Sequence, residues 1–402
     1  MLEYEDQPFT VPDFSKQRER ILVIGVGGGG GNALNHIIRS GVEGVEFIAA
    51  NTDARSLDAN DASVKIVLGE KLTKGLGAGS DPDTGAAAAM ESLERIKEHV
   101  ANVDMVFLTA GMGGGTGTGA SPIIAEAAKE LGALVVAVVT TPFSFEMKAR
   151  FRIAKQGIEN LKGKVDALLV VENDRLLALA DEKTKVIDAY RLADEVLRQA
   201  VQGVTDLILK PGMIGVDFAD IRTVMRDAGS AIMGIGHGDG ENRAEMAARA
   251  AIRSPLMSVS MKGAKGILFN VAGGSDITMF KMNKAANIIK DTADDDAMVI
   301  WGHAINEELN GSMRITVIAT GFAEETATPS RPESQSSTSS SHFKPGDILR
   351  RTNRIPHSSP PLIDENDELP AQEDDIFGPD VLKEPRDIIP AYIRKQLKGR
   401  RQ

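Results

Sequence analysis

Six short apolar segments, each followed by a glycine-rich turn or a longer helical stretch, alternate over the first half of the chain. They read ILVIGV from Ile21, then EFIAANT, KIVLG, MVFLTAG, ALVVAVVTTPF and ALLVVEND. Continuous apolar strands that alternate with helices are typical of a parallel sheet covered on both faces. The pattern predicts an α/β, Rossmann-like domain over residues 21–185, with ligand loops at the carboxyl ends of the strands.

The first predicted strand leads into GVGGGGGN, residues 25–32, and then into the helical pattern ALNHIIRSG. Glycine lets the backbone approach a phosphate, and the free N–H groups and dipole of a helix N-terminus favour its negative charge. The run therefore predicts an anion site. It also fits the dinucleotide pattern GxGxxG through Gly25, Gly27 and Gly30, with Asp53 at a spacing suited to a ribose, so an NAD-dependent oxidoreductase is one alternative.

A second glycine run favours a nucleoside triphosphate instead. The strand MVFLTAG ends in GMGGGTGTG, residues 111–119, and the helical pattern SPIIAEAAKELG follows. A dinucleotide site has no need of a second loop, whereas two loops at the ends of parallel strands can surround a triphosphate from both sides. We expect Thr116 and Thr118 to add hydroxyl donors.

A long amphipathic segment follows, in which apolar residues recur every three or four positions until Pro211 and Gly212. It predicts one long central helix over residues 186–210. Residues 211–322 are predicted to form a second, α+β domain. Its expected helices lie near 219–228, 241–253 and 283–293, and its expected strands are ILFNVAG, MVIWGHAI and MRITVIATGF.

The two ends of the chain differ from this pattern. Residues 1–20 are polar and predict a flexible extension. Residues 323–384 are rich in Ser, Thr, Pro, Glu and Asp, a composition that predicts a disordered linker. Residues 385–402 become apolar and then basic, which is typical of a short docking peptide, although a frayed tail is the simpler interpretation.

Composition narrows the class of protein. A formal net charge of -11 disfavours a nucleic-acid-binding protein. The chain has no cysteine and only 6 histidines, which argues against disulfides and structural zinc and favours the cytoplasm. No signal peptide is recognisable, and the longest apolar run, 133–139, is far shorter than the roughly 20 residues that cross a bilayer. We therefore expect membrane contact only through a partner.

These motifs resemble the tubulin and FtsZ family of GTPases. GGGTGTG at 113–119 is similar to the signature of that family, and GVGGGGGN resembles its bacterial cell-division members in particular. NTDA, KGLGAGSDP, PFSFE, VDFADIRTVM, GENRA and VIATGF extend the resemblance over residues 21–322. It implies a cytoplasmic GTPase that polymerises head to tail and forms the ring at the mid-cell division site.

The resemblance also implies a nucleotide site. Backbone N–H groups would hold the phosphates of GTP or GDP at Gly28, Gly29, Gly30, Gly31, Asn32, Gly115, Thr116 and Gly117. Glu146 and Arg150 would lie at the ribose, Asp194 would accept from the guanine N1–H and amino group, and Tyr190 would stack on the base. An ordinary solvated helix position is the alternative for Asp194. Magnesium is implied as well, held mainly by phosphates and water.

Two carboxylates, Asp217 and Asp220, are spaced to project together from a loop that enters a helix. Aspartate is favoured at helix N-termini, so capping is one interpretation of either residue. The resemblance implies instead that both orient and activate the attacking water at the nucleotide of the neighbouring subunit. A protein of this fold that binds GTP but only scaffolds is a further alternative, and the two aspartates argue against it.

Two positions depart from the family pattern. In the loop of residues 74–82, which resembles a sensor of the γ-phosphate, Ser80 and Asp81 replace the commoner Ala-Asn. A carboxylate there is costly near phosphate unless it caps the turn at Pro82. Gly215 stands where the family commonly has Asn, which predicts slower hydrolysis.

Finally, the resemblance implies partners. The first is the chain itself, as a head-to-tail homopolymer. The segment Asp387–Gln396 is similar to the tail peptide of the family that docks on cell-division adaptors and regulators, with Ile389, Tyr392 and Ile393 as apolar anchors. Nucleic acid is not an expected partner, and the membrane is reached only indirectly.

Overall fold

The computed structural model describes residues 19–177, 184–209, 216–257 and 259–322. The predicted linker and docking peptide, Gly215 and most of the predicted N-terminal extension lie outside these described residues. Within them, no helix is long and apolar enough to cross a bilayer.

Ten strands form one sheet. They are β1 (Ile21–Val26), β2 (Glu46–Asn51), β3 (Val64–Val67), β4 (Met105–Gly111), β5 (Leu134–Thr141), β6 (Ala167–Glu172), β7 (Gly229–Asp239), β8 (Gly266–Gly273), β9 (Met298–Ile305) and β10 (Ser312–Thr320). Their order across the sheet is β3-β2-β1-β4-β5-β6-β7-β10-β8-β9. The first six strands are mutually parallel, so the predicted α/β fold with a parallel sheet is confirmed.

The helices cover both faces of this sheet. They are α1 (Gly27–Arg39), α2 (Ala54–Asp58), α3 (Glu70–Thr73), α4 (Pro82–Glu91), α5 (Leu93–Val100), α6 (Thr116–Glu130), α7 (Lys148–Lys162), α8 (Asn173–Leu176), α9 (Val186–Leu209), α10 (Phe218–Met225), α11 (Arg243–Ile252) and α12 (Met279–Lys290). The predicted long helix is therefore present as α9. Every residue of β5 is buried, as expected for a central strand between two helical layers.

Three apolar clusters make up the core. One contains only residues between 22 and 168, and another only residues between 232 and 319. The third lies where α9 packs on the sheet and combines both parts of the chain, for example Phe107 of β4, Val204 of α9 and Ile318 of β10. The long helix thus shares one core with both halves of the sheet.

Strand β7 was missing from our sequence prediction. Its residues Gly234, Gly236 and Gly238 alternate, and glycine is depleted in strands because it has no side chain to pack. In the structure α11 lies directly on this face, since a Cβ at any of the three would come within 2.0–2.1 Å of a backbone oxygen of α11. The glycines therefore permit close packing of a helix on the strand.

β7 also joins the two halves of the sheet. It pairs in parallel with β6 over only a short stretch, Ala167–Leu169 against Gly229–Ala231. On its other side it pairs with β10 in an antiparallel manner along most of its length. The sheet is consequently parallel up to β7 and mixed beyond it.

Candidate nucleotide-binding site

The two glycine runs lie side by side at the carboxyl ends of β1 and β4. Gly27, with φ +70, begins α1, and a Cβ on it would lie 2.8 Å from the amide nitrogen of Gly117. A Cβ on Gly29 would lie 3.2 Å from the Cα of Gly111, and one on Gly30 only 2.3 Å from the carbonyl oxygen of Thr109. Part of each run is therefore required for direct contact between backbones.

Packing does not explain why glycine is present at two other positions. A Cβ at Gly28 or at Gly114 would meet no atom within 4 Å. Gly28 is also exposed, in the first turn of α1. These positions border open space at the N-termini of α1 and α6, where free N–H groups favour an anion.

The two threonines of the second run have different environments. The Thr116 hydroxyl lies 2.6 Å from the Thr52 hydroxyl, which links the start of α6 to the end of β2. Thr118 is buried, and its hydroxyl oxygen accepts from the Gly113 N–H at 2.9 Å. The Thr118 hydroxyl oxygen thus helps to close the loop, and its O–H can still donate, so a donor role toward a ligand stays a prediction.

The loop of residues 74–82 packs against the second run, and Asp81 is the N-cap of α4. Its carboxylate accepts from the Asp83 N–H at 3.2 Å and from the Thr84 hydroxyl at 2.6 Å. Both hydrogen bonds lower the pKa of Asp81, and the bond from the Thr84 hydroxyl has the larger effect. A Cβ on Gly115 would lie 2.9 Å from the backbone of Asp81. The sequence left open whether Asp81 is a helix cap or a costly carboxylate near phosphate, and in the structure it is a cap.

Glu146, Arg150 and Tyr190 come together beside the second run. Glu146 accepts from the Phe143 N–H at 3.0 Å and pairs with Arg150 at 2.6 Å. The rings of Tyr190 and Phe143 meet edge to face with centroids 5.3 Å apart. Burial, and then the Glu146 carboxylate, raise the pKa of Tyr190, so its hydroxyl stays protonated at neutral pH. A Cβ on Gly113 would lie 2.8 Å from the Arg150 side chain, which places this group at the glycine run.

Asp194 lies on α9, partly buried and close to α1. Burial raises its pKa to about 6, while His36 of α1 partly opposes that shift. Burial also disfavours the charge of the adjacent Glu195, but hydrogen bonds from Arg198 and His36 lower the pKa of Glu195 to about 2. The His36 to Glu195 contact, at 2.9 Å, fixes α1 to α9. Asp194 is therefore held beside the helix that begins in the first glycine run.

Asn173 is a candidate that sequence reasoning missed. It follows β6 directly, at the same edge of the sheet as both glycine runs, and it is buried. Among the described residues its side-chain oxygen has no hydrogen-bond partner. A buried polar atom without a partner calls for an explanation, and a bound ligand supplies one. The signal in the sequence was a polar residue placed immediately after an apolar strand.

Asp217 and Asp220 are not brought to this site. Asp217 caps α10, accepting from the Ala219 N–H at 3.1 Å, and Asp220 is exposed in the first turn. Arg222 of the same helix donates to the carbonyl oxygen of Gly132 at 2.8 Å, just before β5 begins. α10 therefore lies at the amino ends of the parallel strands. The eight residues of β5 separate the two edges of the sheet by about 26 Å.

The comparison with known proteins decides the family. Residues 20–181 match the sequence model of the Tubulin/FtsZ family, GTPase domain, and residues 229–323 match that of the FtsZ family, C-terminal domain. The chain belongs to the FtsZ family. It is accordingly a GTPase of the tubulin and FtsZ type that binds GTP and GDP, and the alternative of an NAD-dependent oxidoreductase is set aside.

Solved structures agree with this assignment. The FtsZ dimer from M. jannaschii is 43% identical, with a TM-score of 0.73, and the alignment covers 76% of this chain and 89% of that one. A point mutant of M. jannaschii FtsZ matches with the same identity and TM-score, covering 76% and 92%. CetZ2 from Haloferax volcanii, described as a GTPγS-bound protofilament, is 22% identical with a TM-score of 0.64 over 76% and 94%, which is similarity of fold alone.

Proposed function

We propose that this GTPase polymerises head to tail and hydrolyses GTP at the junction between subunits. Its filaments would form the ring at the division site, in the cytoplasm of a bacterial cell. The observation that carries the proposal is the placement of the glycine runs and of Asp217 and Asp220 at opposite edges of one sheet. A single chain holds the two halves of a hydrolytic site apart.

Head-to-tail stacking is the arrangement that reunites them. The carboxyl ends of the strands carry the glycine runs, and the amino ends carry α10. Translation of a second copy along the strand direction places the amino edge of one subunit on the carboxyl edge of the next. Such a heterologous contact leaves a free edge at each end, so it continues as a filament unless a rotation closes it. The description of the 43% identical M. jannaschii FtsZ structure as a dimer supports self-association of this chain.

We propose that the described residues share the nucleotide as follows. Backbone N–H groups of Gly28–Asn32 and Gly115–Gly117 hold the phosphates, because Gly28 borders open space at a helix N-terminus. Glu146 and Arg150 contact the ribose, and Tyr190 offers its ring to the base. Asp194 accepts from the guanine, for which it must be ionised, and its pKa of about 6 permits this at neutral pH. Asn173 adds an amide at the same edge.

Water activation is assigned to the carboxylates of the neighbouring subunit. Asp220 is exposed, and among the described residues its carboxylate has no hydrogen-bond partner, so it is available to orient a water molecule. Asp217 uses one oxygen as a cap and leaves the other free to share this role. Bound magnesium would neutralise charge on the phosphates. We propose that phosphates and water supply most of its ligands.

The remaining proposals concern organisation and partners. We propose a GTP-binding domain at 21–185, a central helix at 186–210 and an α+β domain at 211–322, which agrees with the separate clusters of the core. Adaptors and regulators would bind Asp387–Gln396 and give indirect access to the membrane. A net charge of -11 supports the expectation that nucleic acid is not a partner.

The dependence of GTP hydrolysis on protein concentration tests the main proposal. The rate per subunit should rise with concentration in the wild type. Asp220→Ala should bind GTP and sediment as filaments, but hydrolyse roughly 100-fold or more slowly, as expected for loss of a general base. Glu94→Ala, which removes another exposed carboxylate in the first turn of a helix, is the matched control and should behave as the wild type. A rate per subunit that is independent of concentration would contradict the proposal.

A further inference from the structure

A cluster of three charged side chains lies at the amino edge of the sheet, away from the nucleotide site. Lys129, near the end of α6, contacts Asp166 at 3.1 Å and Asp227 at 2.8 Å. Asp166 stands directly before β6 and has only 5% of its side chain exposed. Asp227 follows α10 closely, in the connection to β7. One ammonium group thus bridges two carboxylates from distant parts of the chain.

Asp166 also binds the backbone around it. Its carboxylate accepts from the Val135 N–H of β5 at 2.8 Å and from the Asp227 N–H at 3.3 Å. Its carbonyl oxygen accepts from the Gly229 N–H at 2.9 Å. Asp227 itself has φ +50, a left-handed conformation that Asp and Asn tolerate better than most residues. The connection from α10 to β7 is therefore fixed to the starts of β5 and β6 by side-chain and backbone contacts.

The rest of α10 is attached as well. Arg222 donates to the carbonyl oxygen of Gly132 at 2.8 Å. Thr320 of β10 donates its hydroxyl to the carbonyl oxygen of Val224 at 3.1 Å. Val224 and Met225 are buried in the core beneath α9. The first turn of the helix, with its two aspartates, is exposed and so is open to another molecule.

We infer that Lys129 is a positioning residue for hydrolysis: by binding Asp166 and Asp227 it sets the place of α10, and so of the carboxylates presented to the next subunit. This inference rests on the proposed function. Without the ammonium group, the two carboxylates repel each other, and the buried one loses its countercharge. A displacement of about 1 Å is enough to cost a large factor in rate when a reacting group must be oriented.

Two substitutions test this in the whole 402-residue chain. Lys129→Met removes the charge and retains most of the stem, and Asp227→Asn removes the opposite charge at a position where Asn tolerates the backbone. Each should lower kcat by roughly three- to tenfold and leave unchanged the Kd for GTP and the protein concentration needed for assembly. Asp227 is exposed, so Asp227→Asn keeps the test available if Lys129→Met does not fold. The double variant should be no slower than the slower single variant, because Lys129→Met already removes the contact with Asp227 that Asp227→Asn weakens.

Lys97→Met is the matched control. Lys97 has 32% of its side chain exposed, against 35% for Lys129, and it pairs at 3.3 Å with Glu130 of the same helix α6. Among the described residues, the side chains of this pair form no hydrogen bond or ion pair with α10, and the loss of the pair should leave kcat at the wild-type value. An equal fall of kcat in Lys97→Met and Lys129→Met would overturn the inference, as would an unchanged kcat in both Lys129→Met and Asp227→Asn.

A mixing experiment separates positioning of α10 from a general loss of structure. Asp220→Ala subunits retain the nucleotide site, and Asp194→Ala subunits retain both aspartates of α10, so the proposed function predicts that the mixture hydrolyses GTP faster than either alone. Adding Lys129→Met to the Asp194→Ala subunit should lower this joint rate, whereas adding it to the Asp220→Ala subunit should not.

The outcomes distinguish the two claims. Equal loss from either placement, or loss from neither, would overturn the role of Lys129 while the split site stands. A mixture without any joint activity would instead refute the split site, and the inference about Lys129 would fall with it.

Discussion

The two edges of the parallel sheet are built in different ways. At the carboxyl edge, backbones lie against each other, and a Cβ on Gly27 or Gly30 would come within 2.8 or 2.3 Å of a neighbouring backbone atom. At the amino edge, α10 is tethered by side chains and leaves Asp217 and Asp220 exposed. The proposed binding elements are thus part of the folded core, whereas the proposed catalytic carboxylates are exposed to another molecule. Under the proposed function, this difference would let one chain hold a nucleotide without cleaving it.

Of the variants proposed below, substitutions of two glycines in α1 should have the largest effects. Gly30→Ala places a Cβ 2.3 Å from the carbonyl oxygen of Thr109, and we expect it to destabilise the fold by about 3 kcal/mol. Gly28→Ala faces open space and lies in a helix, where Ala is favoured over Gly, so its free energy of unfolding should be equal or higher by up to about 1 kcal/mol. Chemical denaturation of both variants measures the difference.

GTP binding completes this test. Gly28→Ala should fold normally but bind GTP roughly tenfold more weakly, because the new methyl group occupies space at the phosphates. If Gly30→Ala and Gly28→Ala had similar free energies of unfolding, backbone packing would not explain why Gly30 is required.

Asp194 should show the next largest effect, with opposite signs for binding and stability. Its pKa of about 6 lies above the ordinary value of 3.8, so the folded protein binds the proton more tightly than the unfolded chain. The contribution of this group to stability therefore falls as pH rises from about 4 to about 6 and stays low above that range. Asp194→Asn should raise the free energy of unfolding of the nucleotide-free protein at pH 7 by on the order of 1–2 kcal/mol.

The same substitution should weaken GTP binding, since the amide offers one acceptor fewer to the guanine. In the wild type, GTP affinity should decline as pH is lowered through about 6, where Asp194 becomes protonated. Calorimetric titration at pH 7.5 and at pH 5 measures both effects, with Asp194→Asn as a control that lacks this pH dependence. An identical pH profile in the two proteins would exclude Asp194 as the group responsible.

Gly215, two residues before Asp217 in the sequence, should have the smallest effect. Restoring the commoner residue with Gly215→Asn adds a polar contact to the neighbour's nucleotide, and we expect hydrolysis to become roughly two- to fivefold faster, the range of one hydrogen bond. Phosphate release at a protein concentration that saturates assembly measures the change. Equal rates would show that this position does not contribute to turnover.

The sequence predicted the carboxyl edge well because its signals are local. Each buried strand of the first half is a continuous apolar run, and each glycine run follows such a strand directly. Strand β7 escaped prediction because its alternate glycines serve the approach of α11, a contact made with a later segment of the chain. Asn173 was missed for a related reason, since only the folded structure reveals that its buried oxygen has no partner among the described residues.

The amino edge was harder to predict because its contacts are distant in sequence. Lys129, Asp166 and Asp227 come from a helix end, a strand start and a connection, and no local pattern links them. Asp81 was partly predictable. The sequence allowed either a helix cap or a costly charge, and the hydrogen bonds that its carboxylate accepts from Asp83 and Thr84 show that it is a cap.

Cross-linking measures the claimed junction most directly. The chain has no cysteine, so a double variant with Leu76→Cys, exposed in the loop of residues 74–82, and Asp220→Cys carries only two thiols. With GTP and a short bifunctional reagent, the account predicts a ladder of covalent dimers, trimers and longer chains, and neither single-cysteine variant should extend beyond dimers. A product confined to cross-links within one chain, or a double variant that stops at dimers, would contradict head-to-tail assembly through these two edges.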